Sequence, residues 1–428
     1  MADVRPFRAL RYDPAAADPA AAIAPPYDVI SPAQQADLYR RSPHNIVRIE
    51  YGEQRDTDTA ADNRYTRAAA ALRAWRDAGV LVRDDAPAFY RYTLEFAWDG
   101  VRHRRQHLFA AVRLHPWDDD VVRPHERTLS GPKQDRLELL RATRTQVSPV
   151  YCLYRHAGGP DLAGLPASQL YDVESDGQRH VVDAITDAAA IDAVARAFAD
   201  IPLYIADGHH RYETALAYRD ERRAAAATWT GDEPENFVLM ALTAAADPGQ
   251  LVLPTHRVVH RPVPPDALER LSALFDVRSV GHREGDRLER VLAREAPDAA
   301  AFVAEGLAPD GAHLLTLRDR AAAEALMPAA EPPAWKRLDV SVLQYAVLGP
   351  IFGIDNDALA AGGAVTYTQS SADAIAEVDE LRATAAFLLR ATPVTQVLDV
   401  ADAHGRMPQK STYFHPKLPT GLVLHPLD

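Results

Sequence analysis

The sequence predicts a mixed α/β protein of the α+β class, with two domains in its 428 residues. Short apolar runs of strand type and longer segments with helical periodicity follow each other without a fixed repeat. A chain of this length exceeds the size at which one hydrophobic core keeps growing, and its 47% apolar residues can fill two cores. We therefore expect an N-terminal domain over residues 1–245 and a C-terminal α/β lobe over residues 246–428.

Local signals justify each element of the N-terminal domain. Asp99-Gly100 is a hairpin turn between two period-two strands, and Gly79 follows a helical segment at the position of a C-cap. The predicted strands are 46–51, 89–98, a return strand towards residue 112, 148–154 and 203–206. The predicted helices are 62–77, 133–142, 188–199 and a segment that begins after Gly208.

The C-terminal lobe has the same alternation of patterns. Its predicted strands are 251–259, 301–304 and 314–317, and its predicted helices are 266–275 and 286–295. Asp310-Gly311 and the stretch from Pro328 to Pro333 are predicted loops. A polar segment bounded by prolines, near residues 407–421, is too irregular to form a core element.

Composition excludes several classes of function. The formal net charge of −13 disfavours a nucleic-acid partner, because phosphate backbones require concentrated Lys and Arg. No apolar run reaches the roughly 20 residues of a membrane span and no signal-peptide pattern is present, so we expect a cytoplasmic protein without a membrane partner. The single cysteine, Cys152, excludes a disulfide framework and is expected in a buried strand, with a reactive thiol as the alternative. A homodimer is compatible with the sequence, which does not fix the oligomeric state.

The segment Asp207-Gly208-His209-His210-Arg211 joins a predicted strand to a predicted helix. The first N–H groups of a helix lack internal partners and its dipole is positive there, so the junction is a natural phosphate site. Gly208 allows close approach of the backbone, His209 and His210 can exchange protons, and Arg211 offers a fork to phosphate. Asp207 is predicted to hold a metal ion or to orient a histidine. The alternative is an Asp-Gly turn with polar caps and no ligand.

Two further polar segments are candidates. His125-Glu126 lies on a predicted loop, where a carboxylate beside a histidine suits a general base. Lys133 begins the next helix and would face another phosphate. Lys410 and Lys417 in the C-terminal loop would meet phosphate or carboxylate groups as point charges. Solvated loops explain these segments equally well, and Asp28 and the triplet 255–257 are lesser candidates.

Four segments together resemble a prokaryotic family known as domain of unknown function family 1015. They are Arg5 to Ala9, Ala24 to Ser31, Leu203 to Arg211, and Met407 to Lys417. The box Asp207 to Arg211 is also similar to the phosphate-binding box of the ParB and sulfiredoxin superfamily, and looks closest to its version in free-serine kinases. The resemblance implies a ParB/sulfiredoxin-like nucleotide-binding core with an additional C-terminal α/β lobe.

The resemblance also implies roles for the candidate residues. In free-serine kinases an earlier His-Glu pair supplies the catalytic carboxylate, which implies Glu126 as general base with Asp207 and His209 as further catalytic residues. Gly208, His209, His210, Arg211 and Lys133 would bind the phosphates of ATP or ADP, with CTP as the alternative, and Asp207 would bind Mg²⁺. His125, Lys410 and Lys417 would contact a small hydroxylated substrate such as L-serine.

This chain departs from those kinases in three ways. It is much longer, it inserts strand and helix segments between His125-Glu126 and Asp207, and a histidine replaces the sulfiredoxin cysteine. The sequence also lacks a zinc signature, a Walker-type loop and a kinase Gly-rich loop, so a nucleotide must be held in another way. A small-molecule kinase is the leading hypothesis. The alternatives are a nucleotide-responsive regulator without turnover and a nucleotide or phosphoester hydrolase.

Overall fold

A computed structural model describes residues 1–128, 130–155, 159–281, 285–295 and 299–428. The chain forms two compact units. Unit 1 comprises Met1–Pro124, Thr128–Gln250 and Pro416–Asp428, and unit 2 comprises His125–Arg127 and Leu251–His415. The main division at Gln250 falls close to the one expected at residues 245–246, but the sequence patterns do not indicate the two exchanged segments.

Unit 1 combines strands and helices along its whole length. Its strands are Val4–Arg5 (β1), Leu10–Tyr12 (β2), Leu81–Arg83 (β3), Phe89–Trp98 (β4), Val101–Arg113 (β5), Val122–Arg123 (β6), Thr145–Gln146 (β7), Val150–Tyr154 (β8), Ser168–Ser175 (β9), Gln178–Ile185 (β10), Leu203–Asp207 (β11) and Phe237–Ala244 (β12). Its α-helices are Pro19–Ala22 (α1), Pro32–Arg41 (α2), Val47–Glu50 (α3), Arg64–Asp77 (α4), Ser130–Thr143 (α5), Ala188–Phe198 (α6) and His209–Ala225 (α7). Single 3-10 turns occur at Tyr27–Val29, Trp117–Asp119 and Pro234–Asn236.

A nine-stranded mixed sheet dominates the described part of unit 1. The strand order is β6-β11-β8-β12-β5-β4-β10-β9, and β1 adds to β5. Strands β6 and β11 are parallel neighbours, with Leu203 opposite Val122. In open α/β sheets, ligands bind outside the carboxyl ends of parallel strands. Strand β11 ends at Asp207 at such an edge, and β6 ends at Arg123 before residues 125–126 follow in the chain.

Most of the elements predicted for unit 1 are confirmed. The hairpin β4-β5 turns at Asp99 and Gly100, whose φ values of 48° and 72° are those of a two-residue hairpin loop. Helices α4, α5 and α6 start or end within a few residues of the predicted bounds. Cys152 is buried in β8, where burial raises the pKa of its thiol well above the usual value.

The predicted strand at residues 46–51 is wrong, because this segment contains helix α3. Oδ1 of Asn45 accepts a hydrogen bond from the N–H of Val47 at 3.0 Å and thereby starts a helical turn. Nδ2 of the same residue donates to the carbonyls of Ala21 and Ile23, which fixes the turn in the core. A short run of β-branched residues fits either a strand or a buried helix, so the hydrogen bonds of Asn45 decided the outcome.

Unit 2 contains a six-stranded antiparallel sheet among its described residues. The eight strands of the unit, six of which form this sheet, are Leu251–Leu253 (β13), His256–Val259 (β14), Phe275–Gly281 (β15), Ala301–Glu305 (β16), Ala312–Leu317 (β17), Val365–Thr368 (β18), Ala385–Leu388 (β19) and Tyr413–His415 (β20). Its helices are Ala267–Ser272 (α8), Gly285–Leu292 (α9), Arg320–Ala325 (α10), Pro333–Lys336 (α11), Asp339–Val342 (α12), Gly349–Phe352 (α13), Asn356–Ala361 (α14), Ser371–Asp379 (α15) and Val394–Asp402 (α16), with a π-helical turn at Leu343–Leu348.

The sheet of unit 2 is covered on both faces. Its order is β15-β17-β16-β19-β14-β18, and β13 pairs separately with β20. Phe302 and Phe387 lie in a core with the helices around α12, whereas Val303 and Leu388 face α9 and α15. The predicted strand 251–259 is therefore two strands, which belong to different sheets on either side of Pro254.

The C-terminal segment 416–428 completes unit 1. Strand β21 (His425–Pro426) pairs with β7, and Leu424, fully buried, bridges to Leu10. Nη2 of the buried Arg105 donates to the carbonyl of Pro416 at 2.9 Å. The predicted polar loop 407–421 is thus divided, with residues up to His415 in unit 2. In the described ranges, every helix is too short or too polar to cross a bilayer.

Candidate functional site

The junction between β11 and α7 in unit 1 is the first candidate site. Gly208 joins the two with a φ of 97°, in the left-handed region that glycine adopts without strain. Helix α7 begins at His209, and no side-chain hydrogen bond among the described residues caps it. A Cβ atom on Gly208 would lie 2.9 Å from Nε of Arg211, so any other residue would displace that side chain as well as strain the backbone. The junction presents the positive end of a 17-residue helix.

Asp207 holds two cations at this junction. Its Oδ2 accepts a hydrogen bond from Nη2 of Arg211 at 2.6 Å, and its Oδ1 forms an ion pair with Nζ of Lys417. All three side chains are largely buried. Burial alone would raise the pKa of Asp207, but Lys417 and Arg211 outweigh it and hold the pKa well below its usual range. The carboxylate is therefore ionised at neutral pH and is a poor proton acceptor.

Protein acceptors fix the guanidinium of Arg211. Its Nη1 donates to Oγ of Ser148 at 2.6 Å and to the carbonyl of Pro149, both just before β8. Burial would lower the pKa of Arg211, but Asp207 and further acidic groups raise it, so the cation persists. The role of Arg211 as a fork for phosphate stays a prediction, since both terminal nitrogens already have protein acceptors.

The other predicted phosphate ligands lie at the starts of α7 and α5. His209 is 5% exposed and lies close enough to Asp207 to lower the pKa of that carboxyl, whereas His210 is half-buried. Nζ of Lys133 lies 3.0 Å from the carboxylate of Glu213, which joins α5 to α7. The structure thus brings Asp207 and Lys417 together directly, while Lys133 is engaged in an ion pair between helices.

The sequence did not predict the charged cluster beside Arg211. Glu50 is 2% exposed and lies 3.4 Å from Nη1 of Arg136, whose guanidinium also lies 4.1 Å from the ring centre of Tyr27. Burial raises the pKa of Glu50, and its Oε1 has no hydrogen-bond partner in the described part of the chain. The only signal was a glutamate in an apolar run, which we assigned to a strand.

A small cavity lies against this cluster. Its volume is about 50 Å³, and Glu50, Arg136 and Arg211 line it together with apolar side chains of α5. Because one water occupies roughly 30 Å³, the cavity accepts one or two water molecules and excludes a nucleotide. The nucleotide site predicted at the box is therefore not this cavity.

The described residues do not fit a magnesium site at Asp207. No group of three or more His, Cys, Asp or Glu side chains that could hold a metal occurs in the described ranges. Proteins bind Mg²⁺ through one or two carboxylates and substrate phosphates, but both oxygens of Asp207 already face cations. A further cation there would be repelled.

In unit 2, the loop 407–412 holds the pair His125-Glu126. The N–H of Met407 donates to the carbonyl of His125 at 2.7 Å, and the N–H of Lys410 donates to Oε1 of Glu126 at 3.0 Å. His125 is 1% exposed, and its Nε2 lies 3.3 Å from Oγ1 of Thr412. Three predicted residues are thus neighbours, although Lys410 contributes its peptide group to this contact while its side chain is exposed.

A buried arginine supports the same loop. Arg257 is 4% exposed, and its Nη2 donates to the carbonyl of Lys410 at 3.1 Å while Nη1 donates to that of Thr255. Burial lowers the pKa of Arg257 to about 10, against smaller opposing effects of Tyr367 and Glu126. The segment 255–257, a lesser candidate in the sequence, therefore braces the peptide that contacts Glu126.

Comparison with known proteins gives one family match and several weak structural likenesses. The family described as "Protein of unknown function (DUF1015)" matches residues 4–341, whereas no curated protein matches the sequence. A conserved hypothetical protein from Pyrococcus furiosus is 14% identical with a TM-score of 0.35, covering 73% of this chain and 93% of its own. A free serine kinase in complex with AMP is 11% identical with a TM-score of 0.36, covering 72% and 86%.

A truncated SbnI from Staphylococcus aureus is 10% identical with a TM-score of 0.33, covering 74% of this chain and 87% of its own. TM-scores of this size do not establish a shared fold. The link to the ParB and sulfiredoxin superfamily stays a prediction from the box alone.

Proposed function

We propose that this chain, which belongs to the DUF1015 family, is a nucleotide-dependent phosphotransferase acting on a small hydroxylated metabolite. One observation carries the proposal: Asp207 holds Lys417 and Arg211 at the uncapped start of α7. These three side chains carry one positive charge between them and the helix dipole adds to it, whereas Asp28 and Glu50 oppose it at Arg211. The similarity of the box to that of free-serine kinases supports L-serine as the first acceptor to test.

Lys417 is the group that we assign to the phosphates of ATP or ADP. Its ammonium is a compact charge on a flexible stem, so it can turn from Asp207 to a phosphate oxygen. Arg211 stays anchored by Ser148 and the carbonyl of Pro149, and preserves the positive field at the junction. Asp207 acts by holding both cations, because its low pKa makes it unsuitable as a base.

The general base in this proposal is Glu126. The hydroxyl oxygen of the acceptor forms a bond to the terminal phosphorus, the bond from that phosphorus to the leaving nucleotide breaks, and the hydroxyl proton passes to the carboxylate. The peptide N–H of Lys410 orients that carboxylate through Oε1. Catalysis is then mainly positioning and neutralisation of charge. No step is assigned to a metal ion.

The test is incubation of the full chain with ATP, ADP or CTP and L-serine, homoserine or glycerol, with phosphorylated products followed by ³¹P NMR. The base role predicts that Glu126→Gln lowers kcat by about 10² or more. Lys417→Gln should weaken nucleotide binding. Lys336→Gln changes a lysine of unit 2, outside the junction of β11 and α7, and should leave nucleotide binding unchanged.

Each alternative function has its own outcome in this experiment. Free phosphate without a phosphorylated alcohol identifies a hydrolase. Tight nucleotide binding without any turnover identifies a regulator. Full transfer activity in the Glu126→Gln variant contradicts the base role even if the chain is a kinase.

A further inference from the structure

A second, larger pocket lies within unit 2. Its volume is about 170 Å³, and its lining includes charged, aromatic and amide side chains that are distant in sequence. They are Arg127, Glu331, Trp335, Tyr345, Asn356 and Arg406. Arg127 directly follows Glu126 in the chain, and Gln409, which also lines the pocket, directly precedes Lys410. The pocket therefore adjoins the loop that contacts Glu126 in the same unit.

The aromatic wall of this pocket is held in place. The rings of Trp335 and Tyr345 meet edge to face at 5.5 Å and 66°. Nε1 of Trp335 donates to the carbonyl of Arg406 at 2.9 Å, and Nδ2 of Asn356 donates to Oη of Tyr345 at 2.9 Å. Tyr345 belongs to the π-helical turn Leu343–Leu348. Such turns are rare in proteins, and those that do occur often lie at functional sites.

The charges of the lining define the chemistry of the ligand. Arg127 provides a guanidinium group that matches a carboxylate, and Glu331 provides an acceptor for an ammonium group. Arg406 adds positive charge, although its Nη1 also donates to the carbonyls of His404 and Gly405. The volume corresponds to about six water molecules at roughly 30 Å³ each, and lies below the roughly 300–1,000 Å³ of pockets for drug-sized ligands. A nucleotide is too large, whereas a zwitterion with a short side chain fits.

We infer that this pocket binds a free α-amino acid with a small side chain, with its carboxylate at Arg127 and Arg406 and its ammonium at Glu331. The methylene or methyl group of the ligand packs against the aromatic wall formed by Trp335 and Tyr345. Binding of the amino acid by itself does not depend on the phosphotransferase proposal. Its role as the acceptor subsite beside Glu126 rests on that proposal.

Isothermal titration calorimetry of the full chain with L-serine and L-alanine, without nucleotide, tests the inference. Both amino acids should bind. Serine methyl ester, which lacks the carboxylate, and glycerate, which lacks the ammonium, should bind at least about tenfold more weakly, since each loses one charge-assisted contact. Arg127→Gln and Glu331→Gln should each weaken serine binding by a similar factor, whereas Arg337→Gln, an exposed arginine outside the lining, should not.

Absence of measurable binding of either amino acid overturns the inference. So does serine binding that both variants leave unchanged. If serine binds as expected but no nucleotide phosphorylates serine, homoserine or glycerol, the pocket stands and the phosphotransferase proposal fails. If phosphoserine forms and neither Arg127→Gln nor Glu331→Gln changes KM for serine, the proposal stands and the pocket fails.

Discussion

The ion pair between Asp207 and Lys417 should be strongly coupled to the stability of unit 1. Their side chains are only 17% and 14% exposed, and the residues are 210 positions apart in sequence. Asp207→Asn removes the carboxylate that both buried cations face, so we expect the free energy of unfolding to fall by about 3–5 kcal/mol. Lys417→Met leaves Asp207 paired with Arg211, so we expect a loss of about 1–3 kcal/mol. The double variant should lose about 1–3 kcal/mol less than the sum of the two single losses.

Urea unfolding followed by tryptophan fluorescence measures this coupling. Of the five tryptophans, four lie in unit 1, so the signal reports mainly on that unit; they are Trp75, Trp98, Trp117 and Trp229. The exposed pair Arg41 and Asp176 in unit 1, 2.9 Å apart, is the matched control and should couple by at most about 1 kcal/mol. Additive losses at Asp207 and Lys417, within about 0.5 kcal/mol, would refute the buried pair.

Three further predictions concern unit 1. Gly208→Ala should lower the free energy of unfolding by about 1–3 kcal/mol more than Gly231→Ala, as measured by urea unfolding. Both glycines have φ above 90°, but only an alanine at position 208 would place its Cβ against Arg211. Burial lowers the pKa of His180 to about 4, so between pH 6.5 and 4 the unfolded chain binds a proton more readily than the folded chain. The free energy of unfolding should therefore fall by up to about 3 kcal/mol as the pH falls through that window. His180→Phe should reduce this pH dependence, which thermal unfolding at several pH values measures. Leu424→Ala in the C-terminal segment should cost about 2–5 kcal/mol, against less than about 0.5 kcal/mol for Leu326→Ala, which is 48% exposed.

The sequence predicted the elements that have strong local signals. Hairpin β4-β5 has ten alternating residues and an Asp-Gly turn, and α7 follows a glycine after an apolar strand, so both were correct. Helix α3 was missed because its start depends on hydrogen bonds from Asn45 to Ala21 and Ile23, which are distant in sequence. Strand pairing could not be predicted either, since the parallel contact of β6 and β11 joins segments about eighty residues apart.

The sequence predicted which residues belong to the candidate site, but it did not predict most of the contacts between them. The box Asp207 to Arg211 does end a strand and begin a helix, which is a local property. The ion pair of Asp207 with Lys417, and the contacts of Glu126 with the peptide of Lys410, are long-range and have no signature in one sequence. Glu50 was missed because its segment was predicted to be a strand and because its contact with Arg136 joins residues that are distant in sequence.

The geometry also separates two cations that look equivalent in the sequence. Arg211 has acceptors on both terminal nitrogens, and moving it would leave the Oγ of Ser148 and the carbonyl of Pro149 without their donor. Lys417 carries a compact charge on a flexible stem, and its backbone follows Pro416, whose carbonyl is held by the buried Arg105. An anion that arrives at α7 therefore competes with Asp207 for Lys417 and leaves Arg211 in place. In the phosphate site that we propose, binding must therefore weaken the ion pair between Lys417 and Asp207.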